Sequence, residues 1–459
     1  MSFSMREHVP SILVASLSAA FGVSLLQVTS NLALVISSND TTGSSSAVRI
    51  ALQALAIVFI VIATYVGAVV TSNTFATIIA GRTRTIALLR LVGATASSQR
   101  RAVATEGLMV GLFGAVIGTV VGSLVTVGLI TVGTAVGFLP SLAYGYLDPV
   151  ILVPILGVVL TTWVASWVGS RKVLLVTPMQ ATGAALEESR EEAAGHRGRN
   201  RAAVVLFALG TVVLGLSVIA GFVSPAGVLV GVVGGVLSFT GLILGAELIM
   251  PPTLRLVGRM LGRSPSARLA AENAVRYPER SSRMTIGLVI GVTLVTMFSV
   301  AAATFERALA TVADQQGADG LLQGIVAVFS MLIGFSALIA AVGLVNNLSL
   351  SVLQRTRELG LLRALGFTSR QLRSMVRAEA LQLTAAAVIV GLVLGIGYGW
   401  VGAQSVLGSV TGASLLLPVI PLWLIVAVVV AGAVLTAVAS IAPTRRATSI
   451  APVVALAVE

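Results

Sequence analysis

The sequence contains no cysteine, which excludes disulfides and thiolate metal sites. Its two histidines, His8 and His196, both stand in polar flanks and are too few for a histidine-based metal centre. Of the 29 basic residues a single one, Lys172, is lysine. No G-x-x-x-x-G-K-[ST] phosphate loop occurs, and Lys172 lies outside any glycine-rich loop, so the chain is not expected to hydrolyse ATP by itself. A nucleophile elbow and a zincin motif are missing as well. The expectation is a chain that is not an enzyme, has no catalytic residues and binds no metal or cofactor. Charge is scarce, at 10% of residues, where a soluble domain carries roughly 25%.

What is present instead is apolar. Hydrophobic residues make up 56% of the 459, and the mean hydropathy is +1.02. Apolar runs of the length a bilayer requires fall near 11–36, 51–80, 103–138, 149–170, 202–222, 226–250, 284–304, 321–352, 378–403 and 419–443. The expected fold is an all-α polytopic membrane protein of about ten transmembrane helices. The net charge of +12 follows the same plan. With the N-terminus inside, every basic residue except Arg49 and Arg307 falls in an inner segment. The positive-inside rule then makes both termini cytoplasmic, and basicity reports topology rather than a nucleic-acid groove.

The chain also repeats itself. "RTRTIALLRLVGATASSQRRAVATEG" (82–107) returns as "RTRELGLLRALGFTSRQLRSMVRAEA" (355–380). Asn73 pairs with Asn346, Gly93 with Gly366 and Glu106 with Glu379 at one offset. "VASWVGSRKVLLVTP" (164–178) pairs with "VASIAPTRRATSIAP" (438–452) one residue further on. Each copy starts inside, so the two are parallel, related by a pseudo-two-fold axis along the membrane normal. The arrangement reads as 4 + 2 + 4. A first four-helix repeat spans 1–179, a cytoplasmic linker 180–201, a two-helix bridge 202–265 and a second repeat 266–459. Within the last, 266–284 reads as an amphipathic helix in the headgroup layer, with Leu269, Ala270, Ala274 and Val275 on its apolar side. Pro278 is expected to end that helix and turn the chain into the membrane.

Each repeated phrase encodes a short amphipathic helix, a turn at Gly93 or Gly366 that admits a left-handed residue, and a second helix rising into the next span. Thr368 and Gln371 have capping-box spacing; Thr95 is the first copy's cap. Leucines recur on one face of the short helix, with Ile86 and Leu89 in the first copy. That face calls for a partner, either the bilayer surface or a groove on a cytoplasmic protein. Two equivalent docking helices in one chain favour a two-fold partner.

The pattern R-x-R-E-[LI]-x-[LI]-L-R-A-x-G-[AF]-[TS], with a Glu about a dozen residues later opening a glycine-rich span, resembles the FtsX-like permeases of ABC transporters. That family includes the macrolide-exporter, lipoprotein-releasing and bacitracin-resistance permeases. "LAAENAVRYPERSS" (269–282) is similar to the family's helix ahead of its second half. The resemblance implies coupling helices within 82–101 and 355–377, seated on two cytoplasmic ABC ATPase subunits that bind ATP and Mg and form a homo- or heterodimer. The residues it marks for coupling are Arg82, Arg84, Ile86, Leu89, Arg90 and Gly93, and Arg355, Arg357, Glu358, Leu362, Arg363 and Gly366. Thr85 stands where the second copy has Glu358, so the two helices are not equivalent. The extracellular domain many members insert is missing from both repeats, and an extracellular or lipoprotein accessory could supply one.

Among polar residues in the spans, Glu106 and Glu379 are candidates for transmitting coupling-helix movement, or acids favoured by a helix N-terminus. Asn73 and Asn346 read as interhelical hydrogen-bonding groups or as part of the same transmission path. Glu247, late in the sixth span, reads as a functional candidate because an intramembrane acid is costly, or as a structural ion pair with Arg255. Gly111, Gly114, Gly118 and Gly122 form a small-xxx-small face. The implied function is an ABC permease in the bacterial cytoplasmic membrane that exports or extracts an amphipathic or lipidic substrate or a peptide antibiotic. The alternative is a mechanotransmitting regulator that activates an extracellular partner without transport. An ion-driven transporter would require midplane charge that these spans lack.

Overall fold

The computed structural model describes residues 5–37, 83–136, 142–146, 149–170, 197–260, 265–276, 278–313, 365–409, 411–412 and 414–449, with parts of 54–75 and 333–337. Among the described residues every regular element is a helix. In chain order these are α1 (Met5–Ser37), α2 (Ile60–Asn73), α3 (Thr83–Leu91), α4 (Ala96–Ala135), α5 (Leu152–Gly169), α6 (Arg197–Gly221) and α7 (Gly227–Leu244). They continue with α8 (Ala246–Met260), α9 (Pro265–Arg276), α10 (Pro278–Ala313), α11 (Ser369–Leu407) and α12 (Leu422–Ser449). A single turn of 3-10 helix, Pro149–Ile151, leads into α5.

Seven of these described helices are long and apolar enough to cross a membrane, and they coincide with seven of the expected runs. The runs at 51–80 and 419–443 carry the shorter apolar helices Ile60–Asn73 and Leu422–Val434. The run at 321–352 and the linker up to residue 196 lie outside the described residues, apart from four positions between 333 and 337. The protein is an all-α polytopic membrane protein.

Helices in lipid gain nothing from hiding leucine from a solvent as apolar as leucine, so they associate by close packing of small residues. The α1–α4 pair shows this directly. Gly114, Gly118 and Gly122 of α4 lie on Ala15, Ser16, Ala19 and Ala20 of α1. A Cβ on Gly122 would come within 2.6 Å of the Ala20 carbonyl oxygen. The two helices ascend together, and Ser24 Oγ donates to the Gly122 carbonyl at 2.7 Å. Nearer its start the same face of α4 uses Gly107 and Gly111 against Ser166, Thr162 and Val159 of α5, which runs the other way.

The second repeat is built alike. Gly391 and Gly395, the repeat counterparts of Gly118 and Gly122, lie on Val292, Thr293 and Thr296 of α10, and α10 and α11 also ascend together. Thr384 stands where the first repeat has Gly111, and there the Thr436 hydroxyl of α12 donates to Thr384 Oγ1 at 2.8 Å. Parallel copies therefore share packing as well as sequence.

The bridge differs from expectation at its end. The sixth span stops at Leu244, Gly245 breaks the run, and Ala246–Met260 forms a separate amphipathic helix that accommodates Pro251 and Pro252. Its buried stripe is Ala246, Met250, Leu254 and Val257. Helix α9 packs on α8 and α11, with Ala270 and Ala274 fully buried. The stripe expected to face headgroups is thus taken up by protein. Pro278 does end this segment and occupies the first position of α10, where its missing N–H costs no hydrogen bond.

Helix packing of this kind predicts a sharp contrast within α4. Gly122→Val forces backbone apart and should cost about 1–3 kcal/mol, whereas Gly128→Ala, where a Cβ meets nothing, should be neutral or stabilise by up to ~1 kcal/mol. Melting of both detergent-purified variants followed by size-exclusion recovery checks this; equal midpoints would remove close approach as the main cohesive contact.

Candidate functional site

The first copy of the repeated phrase folds as an elbow of α3, a turn and α4; in the second copy the described residues begin at Leu365, in the turn ahead of α11. Helix α3 closes with two backbone hydrogen bonds, Ala94 N–H to the Leu89 carbonyl at 2.9 Å and Gly93 N–H to the Arg90 carbonyl at 3.1 Å. This is a Schellman closure, and it requires Gly93 at φ +103°. In the second copy Gly366 has φ +95°. A Cβ on either glycine would meet nothing within 4 Å, so the requirement is conformational and not a lack of room.

The following helices start on threonine caps. Thr95 Oγ1 accepts from Ser98 N–H at 3.2 Å. Thr368 Oγ1 accepts from Gln371 N–H at 3.3 Å, while Gln371 Oε1 accepts from Thr368 N–H at 3.0 Å, which completes the expected capping box. Ser98 occupies the position of Gln371 in the first copy, so the reciprocal bond is confined to the second.

The faces of α3 sort differently from the expectation. Ile86 and Ala87 are buried inside the chain, so Ile86 anchors the short helix and is not available to a partner. Leu88, Leu91 and Val92 point outward, with Val92 89% exposed. Leu365, the counterpart of Val92, is 70% exposed. Leu89 and Arg90 are half-buried, and Arg84 lies within α3. Arg82, Arg355, Arg357, Glu358, Leu362, Arg363 and Asn346 fall outside the described residues. Asn73 is half-buried at the end of α2.

The two acids that correspond between the copies, Glu106 and Glu379, sit in the third turn of their helices, because α4 begins at Ala96 and α11 at Ser369. Macrodipole stabilisation fades beyond the first turn, so it does not account for them. Their surroundings differ. Glu106 is half-buried, whereas Glu379 is only 2% exposed, on the stripe Leu372, Met375, Glu379, Gln382 that α9 and α8 cover. Neither acid is without a partner. One turn above Glu379, the buried Gln382 amide donates to the Leu254 carbonyl of α8 at 2.8 Å.

Two arginines that the sequence reading passed over also act here. Arg199, at the start of α6, is the ion-pair partner of Glu247 in the first turn of α8; the expected partner was Arg255. Helix α6 begins at Arg197, four residues before the expected linker ends, and this brings Arg199 within reach. Arg100 lies with its guanidinium 4.2 Å from the Trp167 ring centre and donates to the Trp167 carbonyl at 3.3 Å, tying the base of α4 to α5. Arginine above tryptophan four to five turns into an apolar span is a signal in principle, but residues 67 apart in sequence offer no spacing rule that reveals it. Among the described residues no cluster of metal-ligating side chains occurs.

The elbow predicts local costs separable from any partner. Gly93→Ala should lose about 1 kcal/mol through its left-handed backbone, and Thr368→Ala about 1 kcal/mol through its cap. Hydrogen exchange at residues 89–99 and 365–373 should rise in the respective variant alone.

Comparison with known proteins follows the same two segments. The model of the FtsX-like permease C-terminal family matches residues 57–178 and again 330–452, more than half of the chain and at the spacing of the internal repeat. Over 73 residues the chain is 37% identical to YknZ, an uncharacterized ABC transporter permease of Bacillus subtilis (strain 168); the match spans 16% of this chain and 17% of that protein. With both matched stretches covering the elbows and the spans they lead into, this chain belongs to the FtsX-like permease family.

Proposed function

We propose that the chain is the membrane subunit of an ABC transporter, with two ATPase subunits seated on the elbows at 82–101 and 355–377. The observation that carries this reading is the outward apolar stripe of α3, ending at a left-handed glycine and recurring at Leu365–Gly366. Exposed leucine and valine on a short, rigidly closed basic helix suit a groove on a partner protein. YknZ, similar over a short stretch, is by name an ABC transporter permease. ATP and Mg belong to the partner, and the basic end lies in the bacterial cytoplasm with both termini. Closure of the ATPase dimer tilts the elbows, and α4 and α11 carry the motion across the membrane, with Glu106, Glu379, Asn73 and Asn346 along the path. Cargo is amphipathic or lipidic, including peptide antibiotics, and leaves from the outer side.

Purification of the tagged chain from its native membrane in mild detergent tests the reading. An ATPase with a Walker A loop should co-purify with the wild type. It should be lost from Leu88→Asp/Leu91→Asp and from Arg357→Glu/Arg363→Glu while the chain still elutes as a single species. Retention of the ATPase in both variants would move the docking site off the elbows, and its absence from the wild type under every solubilisation would overturn the transporter reading.

A further inference from the structure

A cavity of about 120 Å³ lies where both repeats meet the bridge. It is bounded by α2, α6, α7, α10 and α11, and it extends from Val228 and Gly402, at the membrane side away from the elbows, down to Phe239 and Thr293. Its floor is aromatic. Phe239 of α7 stands edge-to-face between Tyr65 of α2 and Tyr398 of α11, with ring centres 6.3 and 6.2 Å apart. Both phenols are turned away to serve the bridge, Tyr65 bonded to Thr240 and Tyr398 to Ser238, each at 2.8 Å.

The remaining lining is aliphatic apart from Thr293, whose Oγ1 has no partner. One free hydroxyl is too few to hold a water, which needs two to four polar contacts. The size approaches the roughly 150 Å³ of an engineered apolar cavity that stays dry and admits benzene.

Two glycines leave room on the cavity walls. Gly235 and Gly402 both line the cavity, and a Cβ on either would meet nothing within 4 Å. A glycine inside a helix costs about 1 kcal/mol relative to alanine, and at Gly122 or Gly395 close helix contact explains it. At Gly235 and Gly402 no protein atom does. Side chains there would occupy the cavity itself.

We propose that this cavity binds the terminal few carbons of one acyl chain of a membrane phospholipid, entering from the membrane half opposite the elbows, the rest of the chain staying in the bilayer. The surroundings select that occupant: the cavity is not sealed, the helices around it stand in hydrocarbon, and its lining offers dispersion contact with a single hydroxyl. A tail resting on the Tyr65–Phe239–Tyr398 floor touches both repeats and the bridge at once, so its presence stiffens the junction. The inference is independent of the ATPase reading.

The full chain, reconstituted in nanodiscs containing a phospholipid with a diazirine in its acyl chain, provides the test. After photolysis and residue-level mass mapping, adducts should appear on the cavity-lining Val228, Val232 and Val236 of α7 and on Met297, as well as on the outward face of α6 at Leu209 and Val212. In Gly235→Leu/Gly402→Leu the cavity adducts should disappear while those at Leu209 and Val212 persist. Labelling of the outward face alone in the wild type would overturn the proposal, as would cavity-segment adducts that survive the filling substitutions. Each single Gly→Leu variant should reduce the same adducts, which keeps the test open if the double variant does not fold.

Discussion

Close approach of backbone to backbone, without a hydrophobic drive to hold helices together, is the constraint on which the structure rests. Lipid tails compete for every leucine surface, so cohesion must come from contacts lipid cannot match in density. Small residues of α4 and α11 meet α1 and α10 at that density. The large side chains of α4, including Leu112, Val116, Val120 and Leu124, are left outward. The same close packing fixes the elbows, since α4 and α11 continue without interruption from the caps at Thr95 and Thr368 into the glycine seams. The seam is therefore what gives a short exposed helix a defined position.

The symmetry of the sequence is not carried into the environment. The bridge helices α6 and α7 lie against α11, and α8 and α9 cover its lower stripe. Glu379 is consequently enclosed, and its counterpart Glu106 half-open. A buried acid close to a neighbouring helix resists any change of surroundings more strongly than a solvated one. Under the proposed function, the two elbows then work against different loads even if their ATPase partners are identical. The difference between Thr85 and Glu358 points the same way from sequence alone.

What was legible in the sequence followed from local rules. Gly93 and Gly366 announced left-handed closures, Thr368 with Gln371 announced a capping box, and an offset shared by both phrases announced parallel repeats. Each of those depends on residues a few positions apart or on identity between copies. The losses were all questions of which neighbour. Six of the seven residues from Ile86 to Val92 are apolar, with Arg90 the exception. Hydrophobicity could not say that Ile86 turns inward and Leu88 outward. Amphipathicity of 266–284 led to the headgroup layer as the cover for its apolar stripe, which α8 and α11 supply instead. Glu247 announced a cation, and the nearer arginine in sequence was not the nearer one in space. The end of the sixth span was hidden because Leu248, Ile249 and Met250 continue an apolar run past Gly245 into a separate amphipathic helix.

Length adds a final constraint on how the elbows can act. At 1.5 Å per residue, the 40 residues of α4 and the 39 of α11 each extend about 60 Å, twice the roughly 30 Å hydrocarbon core. Neither contains proline, and their glycines lie largely on seams where a neighbouring helix supports the backbone. Bending is therefore expensive along most of each helix and cheap at its start, beside the left-handed Gly93 or Gly366. Under the proposed function, a displacement applied at an elbow is transmitted as tilt of a stiff rod about its glycine seam. Such a rod moves its far end in the opposite sense to its near end, pivoting on α1 or α10. The outer half of the α11 rod carries Tyr398 and Gly402, which border the cavity at the bridge. A tilt of α11 therefore changes the shape of that cavity directly, without any intervening element.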